Sequence, residues 1–506
     1  MKRYFLDPFG CAKNQVDAEN MMAHLNNAGW KSVSDAETAD LIIVNSCGFI
    51  DSAKQESINA VLEWRKHYPN KKIYITGCLS QRYAKELPDI LKEADGFIGI
   101  ENPSQVVQAI ENIFSASSDA AKQKVHASLT EISPQSDKKF ASNLITTGER
   151  PLLSLPGSAY IKISEGCGNF CSYCAIPLIR GNLISRSISE IIEECKALLR
   201  RGIVELIIIG QDIGMYGTDS GEELPKRRGN TEEKIKRESK LPELLNEISK
   251  LEGNFWVRLL YIHPDHFPLR ILDLIERDKR FLPYFDIPFQ HVSAKILTAM
   301  NRNKHYFTFR GENHELNIPP QEIPVNRYFT LLEIIRRRLP DAVIRSTFLI
   351  GFPGESEEDF AELIDFQKKA NLDWLGCFVY SREEDTASYS MKGRVPKKIA
   401  VMRKLSIEEK QLTITEKNMD RFVNQIYDVL IEEEFTAEET DDYKEKIWLG
   451  RLYCQSPEVD GAAVVVCQSA DLQENAVKQN IKAGAFVRCK VTARLGFDLE
   501  VQPVNQ

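Results

Sequence analysis

The 506-residue sequence has no uncharged apolar run long enough to cross a bilayer, so no membrane partner is expected. Its opening, Met-Lys-Arg-Tyr-Phe-Leu-Asp-Pro, lacks the apolar core of a secretory signal, and a cytoplasmic protein is expected. Basic residues are not in excess. The count is 65 Lys and Arg against 73 Asp and Glu, a formal charge of −8, which argues against a chain that coats nucleic acid. Collagen-like and wholly disordered readings fall away too, because 43% of residues are hydrophobic and 27% charged. The 11 cysteines show none of the spacings of a small secreted scaffold. They point to metal or redox chemistry rather than a disulfide framework.

What is present is βα alternation. Tyr4 to Leu6, Asp40 to Asn45 and Lys72 to Thr76 read as strands separated by helical stretches such as Asp17 to Ala28 and Asp51 to His67, which predicts a parallel sheet. Composition then shifts to Ser, Ala, Lys, Gln and Asp, as in a linker. Six or so further βα units suit a full or partial (β/α)₈ barrel, with an open doubly wound sheet as the alternative. Two polar stretches, Asp219 to Lys240 and Asn303 to Asn326, read as surface insertions. Beyond Val423 the helical patterns stop, and β-rich runs with glycines at turn positions predict a small antiparallel β-barrel of roughly five strands, OB-like in size. The expected fold class is α/β, with units over residues 1–115, 151–422 and 423–506 and a linker over 116–150.

Cys167, Cys171 and Cys174 fall within eight residues directly after a predicted strand. A closed zinc site wants four ligands and a ferredoxin run would supply a fourth cysteine nearby, but none follows. Three thiolates on a four-iron cluster leave one iron open to a small molecule. A second set is dispersed: Cys11, Cys47 and Cys78 each sit just past the end of a predicted strand. The strand ends of an open parallel sheet line one edge, so these three can converge on a second site. Cys195, Cys377, Cys454, Cys467 and Cys489 have no partner spacing and read as packing residues.

The C-terminal strand ends of the central unit supply further candidates. Gln211 and Asp212 follow one strand, where they either bind polar groups of a cofactor or, for Asp212, cap the next turn. Gln290 ends another, and Arg258 lies within a third. His291 is given no chemistry, since a single loop histidine is more often a structural hydrogen-bonder. Gly351-Phe-Pro-Gly354 fits either close passage of a ligand or a tight turn.

The CxxxCxxC form, with Tyr173 before its last cysteine, resembles the radical S-adenosylmethionine enzymes. Phe9 to Glu19, Asn45 to Ser57, Ser164 to Arg186 and Gly351 to Glu355 further resemble the methylthiotransferases of that superfamily, over nearly the whole chain. Asp286 to His291, Gly376 to Ser381 and Pro457 to Gly461 are similar to the type that modifies an aspartate of protein twelve of the small ribosomal subunit. The resemblance implies two [4Fe-4S] clusters, one on each cysteine triad, and S-adenosyl-L-methionine at the contiguous one, beside Tyr173 of its motif; Gln211, Asp212, Arg258 and Gln290 are expected to contact that cofactor from their places at the predicted strand ends. It also implies a central radical barrel, a terminal TRAM barrel, an electron donor such as flavodoxin or ferredoxin, and cleavage of S-adenosylmethionine to a radical that takes a hydrogen atom from the aspartate β-carbon.

Charge is an independent guide. Residues 428–506 carry 8 Lys and Arg against 15 Asp and Glu, nearly all of the chain's imbalance. RNA binding by a β-barrel wants a positive groove, whereas an acidic barrel suits a basic ribosomal protein. A tRNA methylthiotransferase and a non-catalytic iron-sulfur redox protein stand as the alternatives.

Overall fold

The computed structural model of the chain describes residues 2–100, 105–115, 149–219, 238–302, 307–310, 315–318, 324–435, 446–467 and 481–504. Most of the expected linker and of the two insertions lies outside the described residues.

In the first unit, β1 (Arg3–Pro8), β2 (Lys31–Ser32), β3 (Leu41–Ser46), β4 (Lys72–Gly77) and β5 (Gly96–Phe97) form a parallel sheet in the order β2-β1-β3-β4-β5. The helix Ala12–Asn27 packs Met21 and Leu25 with Leu41, Ile43 and Tyr74 on one face. The helix Asp51–His67 puts Val61 with Ile42, Val44 and Ile75 on the other. Burial on both faces explains why β3 is a continuous apolar run rather than an alternating one. The strand order reverses between β1 and β3, and a crevice forms beyond the strand ends at such a switch.

The central unit is a six-stranded parallel sheet of β6 (Ser158–Lys162), β9 (Glu205–Ile209), β10 (Trp256–Leu259), β11 (Phe281–Asp286), β14 (Val343–Ile350) and β15 (Trp374–Val379), paired in that order. Between these lie two small antiparallel pairs, β7 (Ser164–Glu165) with β8 (Ile184–Ser185), and β12 (Phe307–Arg310) with β13 (Glu315–Ile318). The barrel is partial: β6 and β15 do not pair with each other. Side chains alternate across the sheet. Ile161, Ile208, Val257, Phe285 and Ile344 meet the surrounding helices. Tyr160, Ile207, Trp256, Tyr284, Val343 and Trp374 point the other way and pack with the C-terminal unit.

That unit is a closed barrel, β16 (Ile426–Phe435), β17 (Lys446–Arg451), β18 (Ala463–Cys467), β20 (Asp498–Pro503) and β19 (Phe486–Leu495). Four of its pairings are antiparallel and β18–β20 is parallel. It docks where the central strands begin. Glu205, the first residue of β9, is fully buried and receives Arg258 Nε at 2.8 Å, Arg451 Nη2 at 2.6 Å and Ser158 Oγ at 2.8 Å. Trp374 Nε1 donates to the Cys454 carbonyl at 2.8 Å, and Tyr284 Oη to Asp460 at 2.6 Å. The opposite, C-terminal end of the strands is left for the cysteines.

Candidate active site

Each dispersed cysteine is set by a strand end. Cys11 directly precedes the helix Ala12–Asn27, Cys47 follows β3, and Cys78 starts the short helix Cys78–Arg82 after Gly77, whose φ of 94° only glycine adopts readily. Asn14 binds the loops together, its side-chain N–H donating to the Phe9 carbonyl at 2.6 Å and the Ser46 carbonyl at 3.2 Å. A Cβ on Gly10 would lie 3.3 Å from Cys47 Cβ, and one on Gly48 would lie 2.7 Å from the Cys78 carbonyl oxygen. The three thiols therefore share one crevice, and a thiolate on Cys11 raises the pKa of both Cys47 and Cys78. Burial is the larger effect at Cys78, pushing it up to about 12. Cys11 is exposed, and Lys13 and Arg180 nearby hold its thiol below its ordinary value.

The contiguous triad sits on the loop after β7. Gly166 at φ 68° and Phe170 at φ 49° turn the chain tightly, and Ser172 ties it to the sheet, its N–H donating to the Met300 carbonyl at 3.0 Å and its Oγ to Ala299 at 2.7 Å. Burial raises Cys167 to about 12 and Cys174 further, and charge on Cys171 raises both. Arg302 reaches Cys171 Sγ at 3.7 Å and Tyr173 Oη at 3.4 Å.

Between the triads lies a buried charge network. Arg180 donates to Cys78 Sγ at 3.3 Å and pairs with Asp17 at 2.9 Å and Glu165 at 2.8 Å, while Lys162 pairs with both carboxylates. Burial alone would raise Glu165, but Arg180 and Lys162 bring it down to about 2. Arg180 follows Cys174 by six residues and ends on Cys78, so it joins the chain that carries the contiguous triad to the dispersed one. Arg82 and Lys54 add a second link through Glu383, at 2.6 and 2.9 Å.

The strand-end candidates divide. Gln211 stands 3.5 Å from Glu165, and its Oε1, like Ser164 Oγ, is buried without a partner. Gln290 holds a left-handed φ of 68° with its backbone bonded to β14. Strain of this kind persists where the surroundings fix it, typically at functional sites. Tyr173 packs edge-on against Phe352. Asp212 takes the capping role, accepting from Gly214 N, His263 N, Asn169 Nδ2 and His266 Nδ1. These bonds outweigh burial and hold its carboxyl below the usual range. Arg258 corrects the expectation: it points to the strand-start end, bound to Glu205 and the Tyr453 carbonyl, and is committed to the terminal barrel rather than to a cofactor. His291 is buried, accepting from Ser293 N through Nδ1, and burial lowers it to about 3. At Gly351 a Cβ would meet Ala400 Cβ at 2.6 Å, so the glycine serves helix packing.

Residues the sequence reading missed are Lys13, Lys162, Glu165, Arg180 and Arg302. Lys162 alone had a visible signal, a charge inside the apolar strand Tyr160–Ser164. The others are recruited by partners distant in sequence.

The donor chemistry fits iron-sulfur clusters. Each triad offers three thiols and no carboxylate ligand, and the orphaned Gln211 Oε1 and Ser164 Oγ offer acceptors to a polar cofactor beside the contiguous triad. Among the described residues no three His, Cys, Asp or Glu side chains could hold a single metal ion. Thiolates that each grip a different iron stand further apart than that.

A groove of about 560 Å³ opens between β15, the helix Lys397–Met419 and the terminal barrel. Glu408, Asp460 and Asp498 line it, with Arg345, Gly376 and Phe497. Phe378, on the same face of β15 as Gly376, is half exposed.

Comparison with known proteins agrees with this arrangement. Residues 3–99 match the profile of the uncharacterized protein family UPF0004, residues 161–366 the radical SAM superfamily and residues 423–504 the TRAM domain. The chain is 45% identical to the ribosomal protein uS12 methylthiotransferase RimO of Treponema denticola, covering 99% of this chain and 100% of that one. It is 39% identical to the protein of the same name from Syntrophomonas wolfei, over 90% and 92% of the two chains. Among solved structures, the radical S-adenosylmethionine methyltransferase TsrM of Kitasatospora setae shares the fold at a TM-score of 0.51 and 13% identity, over 75% of each chain.

Proposed function

The chain belongs to the family of ribosomal protein uS12 methylthiotransferases, and from that premise we propose that it inserts a methylthio group at the β-carbon of an aspartate of uS12. The observation that supports this reading is Arg180, which follows Cys174 by six residues, donates to Cys78 Sγ at 3.3 Å and pairs with Glu165, two residues before Cys167, at 2.8 Å. Cys167, Cys171 and Cys174 would hold one cluster and Cys11, Cys47 and Cys78 the other. When bound, the clusters and S-adenosylmethionine supply hydrogen-atom abstraction and the transferred sulfur and methyl. That chemistry suits a β-carbon that is too weakly acidic for a general base.

The protein's part is placement and exclusion of water. Arg180, Asp17, Glu165 and Lys162 fix the distance between the sites, so that the abstraction and sulfur-donating centres face one substrate carbon. Gln211 Oε1 and Ser164 Oγ would take the polar groups of the cofactor, with Tyr173 packed beside the contiguous triad. The acidic groove at the terminal barrel fits a basic ribosomal protein by charge complementarity. The enzyme would work in the cytoplasm, with an electron from a small carrier of the flavodoxin or ferredoxin class. The test is reconstitution of the full chain with iron, sulfide, S-adenosylmethionine, a reductant and unmodified uS12. A gain of one CH₂S on uS12, with 5′-deoxyadenosine formed, supports the reading; deoxyadenosine without a mass gain would count against uS12 as substrate.

A further inference from the structure

Lys13 stands two residues beyond Cys11 and is 7% exposed. Its Nζ lies 3.2 Å from the centroid of the Tyr261 ring, and Tyr261 itself is held at a φ of 67°. Among the described residues no carboxylate lies within ion-pair distance of that ammonium, and no hydrogen-bond acceptor receives it. The nearby acids are engaged elsewhere. Asp286 faces Arg345 at 3.4 Å, and Glu165 is bound by Lys162 at 2.7 Å and Arg180 at 2.8 Å. Lys162, Arg180 and Arg345 are each matched to carboxylates, whereas Lys13 has only an aromatic face and a neighbouring thiol.

Beyond the Cys11 thiol the ammonium has only the aromatic face, which meets part of what its three N–H donors can bind. The site would be completed by one carboxylate arriving from outside. We infer that Lys13 is the receptor for the side-chain carboxylate of the substrate residue, and so sets the preference of this enzyme for aspartate. The place is suitable. Lys13 lies on the Cys11 side of the chamber, next to the strand-end residues Tyr261 and Asp286, and Arg345 connects Asp286 to Asp460 in the external groove. A carboxylate held there presents its adjacent β-carbon between the two cysteine sites. The chemistry needs a receptor of this kind, because hydrogen-atom abstraction does not by itself distinguish one side chain from another.

This inference rests on the uS12 reading, and the experiment separates the two. The reconstituted full chain, without S-adenosylmethionine, is titrated with unmodified uS12 and with uS12 carrying asparagine at the modified position. A charge-assisted contact predicts that the wild type prefers the aspartate form by roughly 10- to 100-fold. Lys13→Met is expected to bind both forms alike, with iron content and melting temperature kept. A wild type that binds both forms equally, or a methionine variant that keeps the preference, overturns the inference. If the methionine variant loses iron, Lys13→Arg decides: its charge is expected to retain the preference, and loss of the preference there overturns the proposal. Turnover by the wild type is measured alongside. Failure to modify uS12 at all sinks the functional reading and this inference with it, whereas modification without discrimination sinks only the role of Lys13.

Discussion

Replacing Glu205 by glutamine keeps the shape of the side chain and removes the anion that joins the central sheet to the terminal barrel. Glu205 is fully buried, and although burial alone would raise its pKa, Arg451 and Arg258 hold it at about 2 against an ordinary 4.5. That difference corresponds to about 3 kcal/mol at neutral pH. It agrees with the roughly 3–5 kcal/mol typical of removing one partner from a buried ion pair. Arg451 keeps Glu432 at 2.5 Å and Arg258 keeps the Tyr453 carbonyl, so the barrel stays folded and its docking weakens. The direct readout is amide hydrogen exchange at Leu452 and Ser456, which donate to Gln455 and Asp460 at the interface. Exchange by undocking is expected to rise on the order of 100-fold in the Glu205→Gln chain. Because the folded value lies below the unfolded one, this stabilisation is complete above about pH 4.5 and is lost as pH falls toward 2. Wild type and variant are therefore expected to converge in acid. Exchange changed by less than about 3-fold at neutral pH would refute the reasoning.

Further expectations follow from the same contacts. Cys171→Ala is expected to abolish 5′-deoxyadenosine formation, while Cys47→Ala keeps it and loses the mass gain on uS12; equal effects of the two would merge the roles assigned to the triads. Arg180→Met leaves Asp17 and Glu165 with Lys162 alone and is expected to cost about 3 kcal/mol or more of stability, read by urea denaturation, with a midpoint shift near zero contradicting it. His291 is held at about 3 by burial against an ordinary 6.5, so the native state loses stability as pH falls from 6.5 toward 3. His291→Gln should make the fall in stability between pH 6.5 and 5 shallower, and an unchanged slope would assign that acid sensitivity to other groups.

The fold was legible where one rule governs a segment. Asp51–His67 is helical over the residues its periodicity marked, and the apolar runs at β3 and β9 are strands of sheets covered on both faces. The strand β17 was not marked, because Lys-Ile-Trp-Leu-Gly-Arg is short and carries a charge at each end. The helix Lys397–Met419 gives little periodic signal, since it buries Arg403, Gln411 and Thr415 while exposing Met402, Leu405 and Leu412. Convergence of the dispersed cysteines could be argued from strand order alone, as all three follow strands of one parallel sheet. The height of a residue within a strand could not, and Arg258 shows the consequence. Its backbone is in register with Ile207, but its side chain turns back to Glu205, where the terminal barrel docks. Lys13, Arg180 and Glu165 escaped notice because their pairings and surroundings come from segments brought together only by folding.

The central claim is that this chain modifies uS12, and the most direct measurement is the intact mass of the small-subunit ribosomal proteins from cells with and without the gene. The account predicts that uS12 alone loses one CH₂S increment when the gene is absent and regains it with the wild-type chain, but not with Cys171→Ala. Unchanged uS12 mass, with a methylthio group lost from tRNA nucleosides instead, would contradict it.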